Sequence, residues 1–149
     1  MLPNYVSKPT AGETLQSFRP LPASGGLTRR SRAQVKSLSV QVQPDRSPGI
    51  DMARLADLFQ ELAGRGDLVL RHAFDNGDDN GAYYNFTFGT ERPGDLWQAI
   101  RQLIYLAPEH QAHMAVASMA MCSSEAGWDD YLQLYHWDSE VPVVTAAAL

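Results

Sequence analysis

The chain has 149 residues, 44% of them hydrophobic, a formal net charge of −5 and a single cysteine, Cys122. That length fits one domain with one real core, the lone cysteine rules out an internal disulfide framework, and no apolar run approaches the roughly 20 residues of a membrane-spanning helix. The charge is unevenly placed: residues 1–36 hold Lys8, Arg19, Arg29, Arg30, Arg32 and Lys36 against Glu13 alone, a net of +5, whereas residues 37–149 hold six Arg and sixteen Asp or Glu, a net of −10.

A basic leader and an acidic body are therefore read as separate objects. The body lacks the clustered Lys and Arg that affinity for phosphate needs, so general nucleic-acid binding is not expected; an acidic surface suits a basic partner. Residues 1–36 contain Pro3, Pro9, Pro20, Pro22 and Gly25-Gly26, and their apolar residues follow no period. They read as a disordered or extended arm, either solvated or docked on the acidic body of its own chain or of a neighbour. Leu2, Tyr5 and Val6 are interrupted by polar residues and prolines, and no apolar stretch follows Arg29-Arg30, so no secretory or twin-arginine pattern is present and a cytoplasmic location is expected.

Residues 37–141 carry the periodic signals. Leu38, Val40 and Val42 alternate with Ser39, Gln41 and Gln43, which predicts a half-buried strand. After a turn over Pro44–Gly49, Met52, Leu55, Phe59 and Leu62 recur at helical spacing, with Asp51 as cap and Gly64 and Gly66 as stop. Leu68, Leu70, His72 and Phe74 alternate toward a core, Asp75–Gly81 is dense in turn formers, and Tyr84, Phe86 and Phe88 alternate after it: a hairpin with an acidic tip. Pro93 and Asp95 open a second helix with Leu96, Ile100, Leu103 and Ala107 on its inner face, Trp97 and Ile104 beside it, and Pro108 as its stop. Met114–Met121 reads as a strand covered on both faces, Ser123–Asp129 as a loop, and Tyr131–Trp137 as a last strand. Residues 142–149 are expected to fray.

The order strand, helix, strand, strand, helix, strand, strand predicts an α+β domain: an antiparallel sheet with two helices on one face. It is similar to the split β-α-β order of ferredoxin-like domains with one added C-terminal strand, a likeness of element order that carries no function.

No catalytic signature is present. Asn76, Asp78, Asn80 and Gly81 match the start of a calcium loop, but the twelfth position is Thr87 where a bidentate Glu is needed, and the flanks are strands. His110 and His113 form a His-x-x-His on the connection after Pro108, with neither Cys122 nor a carboxylate at motif spacing to complete a zinc site. His72 and His136 fall on the core phase of their strands. Cys122 has Glu125 nearby and no cation to lower its pKa. Neither a cofactor nor a metal is expected.

The last strand holds the strongest binding signal. With Leu132, Leu134 and His136 facing the core, Tyr131, Tyr135 and Trp137 point to the sheet face away from the helices, and Tyr83 points the same way. Asp75, Asp78 and Asp79 on one side and Glu125, Asp129 and Asp130 on the other supply an acidic rim. Aromatics with such a rim describe a protein-binding hot spot. The sequence thus points to a non-enzymatic module that binds a basic protein or itself. Its most concrete form is an immunity or inhibitor protein against a basic enzyme such as a toxin. An assembly subunit whose arm docks on a neighbour, and a small enzyme using a histidine with acids, are the alternatives.

Overall fold

The computed structural model describes residues 34–124 and 127–149; the arm and Glu125 lie outside the described residues, apart from Gln34–Lys36. The fold is α+β: a five-stranded antiparallel sheet with three helices. The strands are β1 (Lys36–Val42), β2 (Arg71–Asp78), β3 (Ala82–Thr90), β4 (Ser118–Ser124) and β5 (Gly127–Tyr135), in the spatial order β2-β3-β1-β4-β5. The helices are α1 (Met52–Ala63), α2 (Pro93–Ile100) and α3 (Pro108–Ala117).

The central strand forms as its alternation requires. Leu38 lies opposite Phe88 and Cys122, and Val40 opposite Phe86 and Ala120, all pointing to the helix side. Helix α1 lays Leu55, Leu58, Phe59 and Leu62 on this floor, and the Phe59 ring stacks on Phe86 at 4.1 Å between centroids. Asp51 caps the helix by accepting a hydrogen bond from the Arg54 N–H at 2.9 Å, and Gly64 follows its last turn.

Three departures from the sequence reading have identifiable causes. First, α2 is followed by a π-turn at Arg101–Tyr105, closed by the Leu106 N–H donating to the Arg101 carbonyl. The extra residue rotates the inner face, so Ile104 and Tyr105 are buried while Leu103 and Ala107 are only half-buried. Second, Pro108 starts a helix instead of ending one, so the described residues hold three helices where the sequence reading has two. Its missing N–H costs nothing at a first helical position, and extended Ala107 separates it from the preceding turn. Met114–Ala117 are accordingly helical, and β4 begins only at Ser118, whose hydroxyl bonds both the Met114 carbonyl and the Tyr105 hydroxyl. Third, the hairpin is longer and later than expected. Strand β2 runs through Asp78 and the turn is Asp79–Gly81, with Asn80 at φ +67° and Gly81 at φ +130°. As an edge strand β2 buries little: Leu70 and His72 are exposed and Phe74 is half-buried.

Part of the C-terminal segment touches the core. Val144, Ala146 and Leu149 lie against the main core, and the Val144 N–H donates to the Gln133 carbonyl at 2.8 Å. Among the described residues, no helix is long and apolar enough to cross a membrane.

Since Phe59 is fully buried and touches both Phe86 and Phe88, Phe59→Ala should destabilise the domain by about 3–5 kcal/mol. Urea melts of the two proteins give this directly, and a loss below about 1 kcal/mol would contradict the packing described.

Candidate functional site on the sheet face opposite the helices

Strand β5 does not pair evenly with β4. Met121 lies opposite Gln133 but its neighbour Ala120 lies opposite Tyr135, so Leu134 is an extra residue and forms a bulge. The Gln133 side chain stabilises this kink by donating to the carbonyls of Ala120 and Tyr135, at 3.0 and 2.8 Å. The bulge changes which way the aromatics point. Leu134 and Tyr135 both pack on the helix side, and the Tyr135 ring sits 4.6 Å from that of Tyr105. Tyr135 is therefore removed from the outward set that strict alternation predicts.

A second irregularity follows between Cys122 and Ser124 on β4, opposite Leu132 and Gly127 on β5. Within it, Trp128 turns onto the face away from the helices and is buried there with Met119 and Met121; Tyr131 and Trp137 pack on the same cluster, half-exposed. Trp128 is the residue that the sequence reading misses, because a single tryptophan among acids in an irregular stretch carries no period. Asp129 and Asp130 beside it are exposed.

Trp137 already has a cation on its ring. The Arg46 guanidinium lies 4.0 Å from the ring centroid and is held there by its Nε–H donating to the Val116 carbonyl. His136 stands 4.9 Å from Trp137, and its Nδ1 accepts a hydrogen bond from the Asp138 N–H. Burial lowers the His136 pKa, with Asp138 opposing and Arg46 adding to the effect.

The remaining expected site residues lie at the other edge of the sheet. Asp75 accepts a hydrogen bond from the Asn85 amide at 3.0 Å, and Asp78 receives the Gly81 N–H in the turn, with Asp79 beside it. Tyr83 is half-buried over Gly77, where a Cβ would overlap its ring. Strands β2 and β5 are four strand spacings apart, about 19 Å. The acids thus form two patches instead of one rim, and between them run Thr87, Asn85, Ser39 and Gln41. The Ser39 and Thr87 hydroxyls bond each other at 2.8 Å.

The four histidines are dispersed. His72 and His136 lie at opposite edges of the sheet. The pair expected on an exposed linker lies on α3: His113 Nδ1 bonds the Ser47 hydroxyl, whereas His110 is buried, its Nε2 3.7 Å from the Glu109 carboxylate and neither ring nitrogen hydrogen-bonded among the described residues. No group of three or more His, Cys, Asp or Glu among the described residues could hold a metal ion. An apolar pocket of about 200 Å³ between α1 and the hairpin, lined by Met52, Ala56, Phe74, Tyr84 and Phe86, opens on the helix side and does not join the aromatic cluster. Cys122 lies under the helices, where burial pushes its pKa up to about 11, so it is a poor nucleophile.

No protein-family model, no curated protein and no solved structure matches the chain.

Two outcomes follow. Tyr135→Ala should cost more stability than Trp137→Ala, about 2–3 kcal/mol against about 1 kcal/mol, because the half-buried Tyr135 ring packs on the main core and on Tyr105, whereas Trp137 packs on the small outer cluster and under Arg46. Denaturant melts that reverse this order would overturn the bulge assignment. Stability should also fall at alkaline pH. Burial raises the pKa of Cys122 from 9.0 to about 11 and raises those of Tyr105 and Tyr135. The unfolded chain then releases these protons first. Stability is complete below about pH 9 and falls by about 1.4 kcal/mol per unit as Cys122 alone ionises in the unfolded state, and more steeply once the tyrosines follow. Melts of wild type and Cys122→Ser between pH 8 and 11 measure the thiol's share.

Proposed function

We propose that the chain is a non-enzymatic protein-binding module that engages a basic protein, most concretely an immunity or inhibitor protein neutralising a basic enzyme such as a toxin. The observation that carries this reading is the β5 patch: Tyr131 and Trp137 half-exposed on a small hydrophobic cluster separate from the main core, with Asp129, Asp130, Asp138 and Glu140 exposed around it. Aromatic anchors that exclude water, beside carboxylates that steer a cationic surface, are what such binding requires. Arg46 on Trp137 supports it, since the ring already accepts a guanidinium and a partner's arginine has the same chemistry. The corrected anchor set is Tyr131 and Trp137, without Tyr135, on a base that includes buried Trp128.

The strand order β2-β3-β1-β4-β5 supports reading the fold as a ferredoxin-like sheet extended by β5. The second reading is an assembly subunit whose basic arm docks on a neighbouring acidic body, and the division of charge between residues 1–36 and 37–149 supports it.

Pull-downs from the source cell with the wild-type chain should recover a basic protein. The combined change Asp129→Asn, Asp130→Asn and Tyr131→Ala should weaken its capture by roughly 30-fold or more, since one central aromatic anchor contributes about 2 kcal/mol. A partner held equally well by the variant, or one that is acidic, would overturn the proposal.

A further inference from the structure

The sheet face away from the helices is closed as tightly as the one beneath them. Thr87 is 0% exposed, Ser39 2%, Gln41 3% and Asn85 5%. These residues sit on β1 and β3 and alternate with the side chains that meet the helices. The helices and the C-terminal residues pack on the opposite side, and the cluster of Met119, Met121 and Trp128 belongs to β4 and β5. On a sheet covered on one side only, a polar strip along the middle would meet water. Sealed polar atoms need hydrogen-bond partners, yet Gln41 Oε1, Asn85 Oδ1 and Trp128 Nε1, all on this face, have none among the described residues.

We propose that residues 1–33 of the same chain lie across this face, as an intramolecular occupant of the surface that a basic partner takes. Position favours it: Gln34 and Val35 lead directly into Lys36, the start of the central strand, so the segment begins at the sheet's middle. Length allows it, because about seven extended residues cross five strands spaced about 4.8 Å apart. Charge favours it: Lys8, Arg19, Arg29, Arg30 and Arg32 against Glu13 give this segment +4, facing Asp75 at one edge and Asp129 and Asp130 at the other. A second copy would instead bring one acidic body of net −10 against another. The chemistry also fits. A crossing backbone offers N–H groups to Gln41 Oε1 and Asn85 Oδ1 and carbonyls to Trp128 Nε1, while Phe18, Leu21 and Leu27 suit Met119 and Met121. A consequence, which rests on the proposed function, is that the segment and the basic partner compete, so that binding is weaker while the segment is in place.

Thiol reactivity tests the docking without a partner. Ser39→Cys in the full chain places a near-isosteric thiol on the face, and buried Cys122 reports on the fold. With a colorimetric disulfide reagent at pH 8, the introduced thiol of the monomeric chain should react about 100-fold or more slowly than a free thiol. After cleavage at a protease site inserted behind Ala33 and removal of the segment, it should react at least about tenfold faster while Cys122 stays slow. Gln41→Cys is the second probe should the first disturb the Ser39–Thr87 bond. Fast reaction in the intact chain would overturn the proposal. So would protection that survives removal of the segment in a monomer, or protection seen only in a dimer, which would assign the face to a second copy. Because no partner is present, this experiment and the pull-down fail independently.

Discussion

The two-faced character of β1 is the constraint on which the rest depends. This strand lies at the centre of the sheet, paired on both sides, and its residues Ser37–Val42 are all buried. Leu38, Val40 and Val42 form the floor on which α1, α2 and the π-turn pack, at about 1.5–3 kcal/mol for each aliphatic side chain removed from water. Ser39 and Gln41, one residue out of phase, turn an equal length of strand into a polar strip on the other side. A one-residue slip would exchange these sets, so register is strongly specified.

The same constraint sets the character of the functional surface. A polar strip cannot supply a second hydrophobic core, so the apolar surface of that face is confined to β4 and β5, where Met119, Met121 and Trp128 gather. The two irregularities in β5 place this cluster. One sends Tyr135 inward to Tyr105, and the other brings Trp128 outward beside Asp129 and Asp130. An aromatic patch with adjoining carboxylates is therefore a product of broken alternation, and the sheet behind it holds it rigid.

The polar strip also carries a cost. Burying an amide oxygen without a partner costs on the order of 1–3 kcal/mol, and Gln41 Oε1 and Asn85 Oδ1 lie on neighbouring strands at matching positions. Such a pair is expensive to bury unless hydrogen-bond donors reach it.

The sequence by itself determined those elements whose period is uninterrupted. The 2-residue alternation of Leu38–Val42 and the 3.6-residue period of Met52–Leu62 place β1 and α1, because local pattern and burial agree there, while the turn formers before Tyr83 mark a hairpin without fixing where its turn falls. The division of charge between the first 36 residues and the remainder is equally a property of the sequence alone. Only the tertiary structure decided the second half. Pro108 is compatible with either end of a helix, and the run from Met114 to Met121 suits a helix or a strand; contact of Ser118 with Tyr105 and Met114 sets the boundary. The π-turn and the bulge at Leu134 each insert one residue into a periodic pattern; the first rotates the buried face of a helix, and the second turns Tyr135 to the helix side. Tyr135 then ends β5 against the main core, while Trp137, beyond the end of the strand, packs against Met119, Met121 and Trp128. The turn of Tyr135 follows from how β5 must bend to remain paired with β4, which no local pattern encodes.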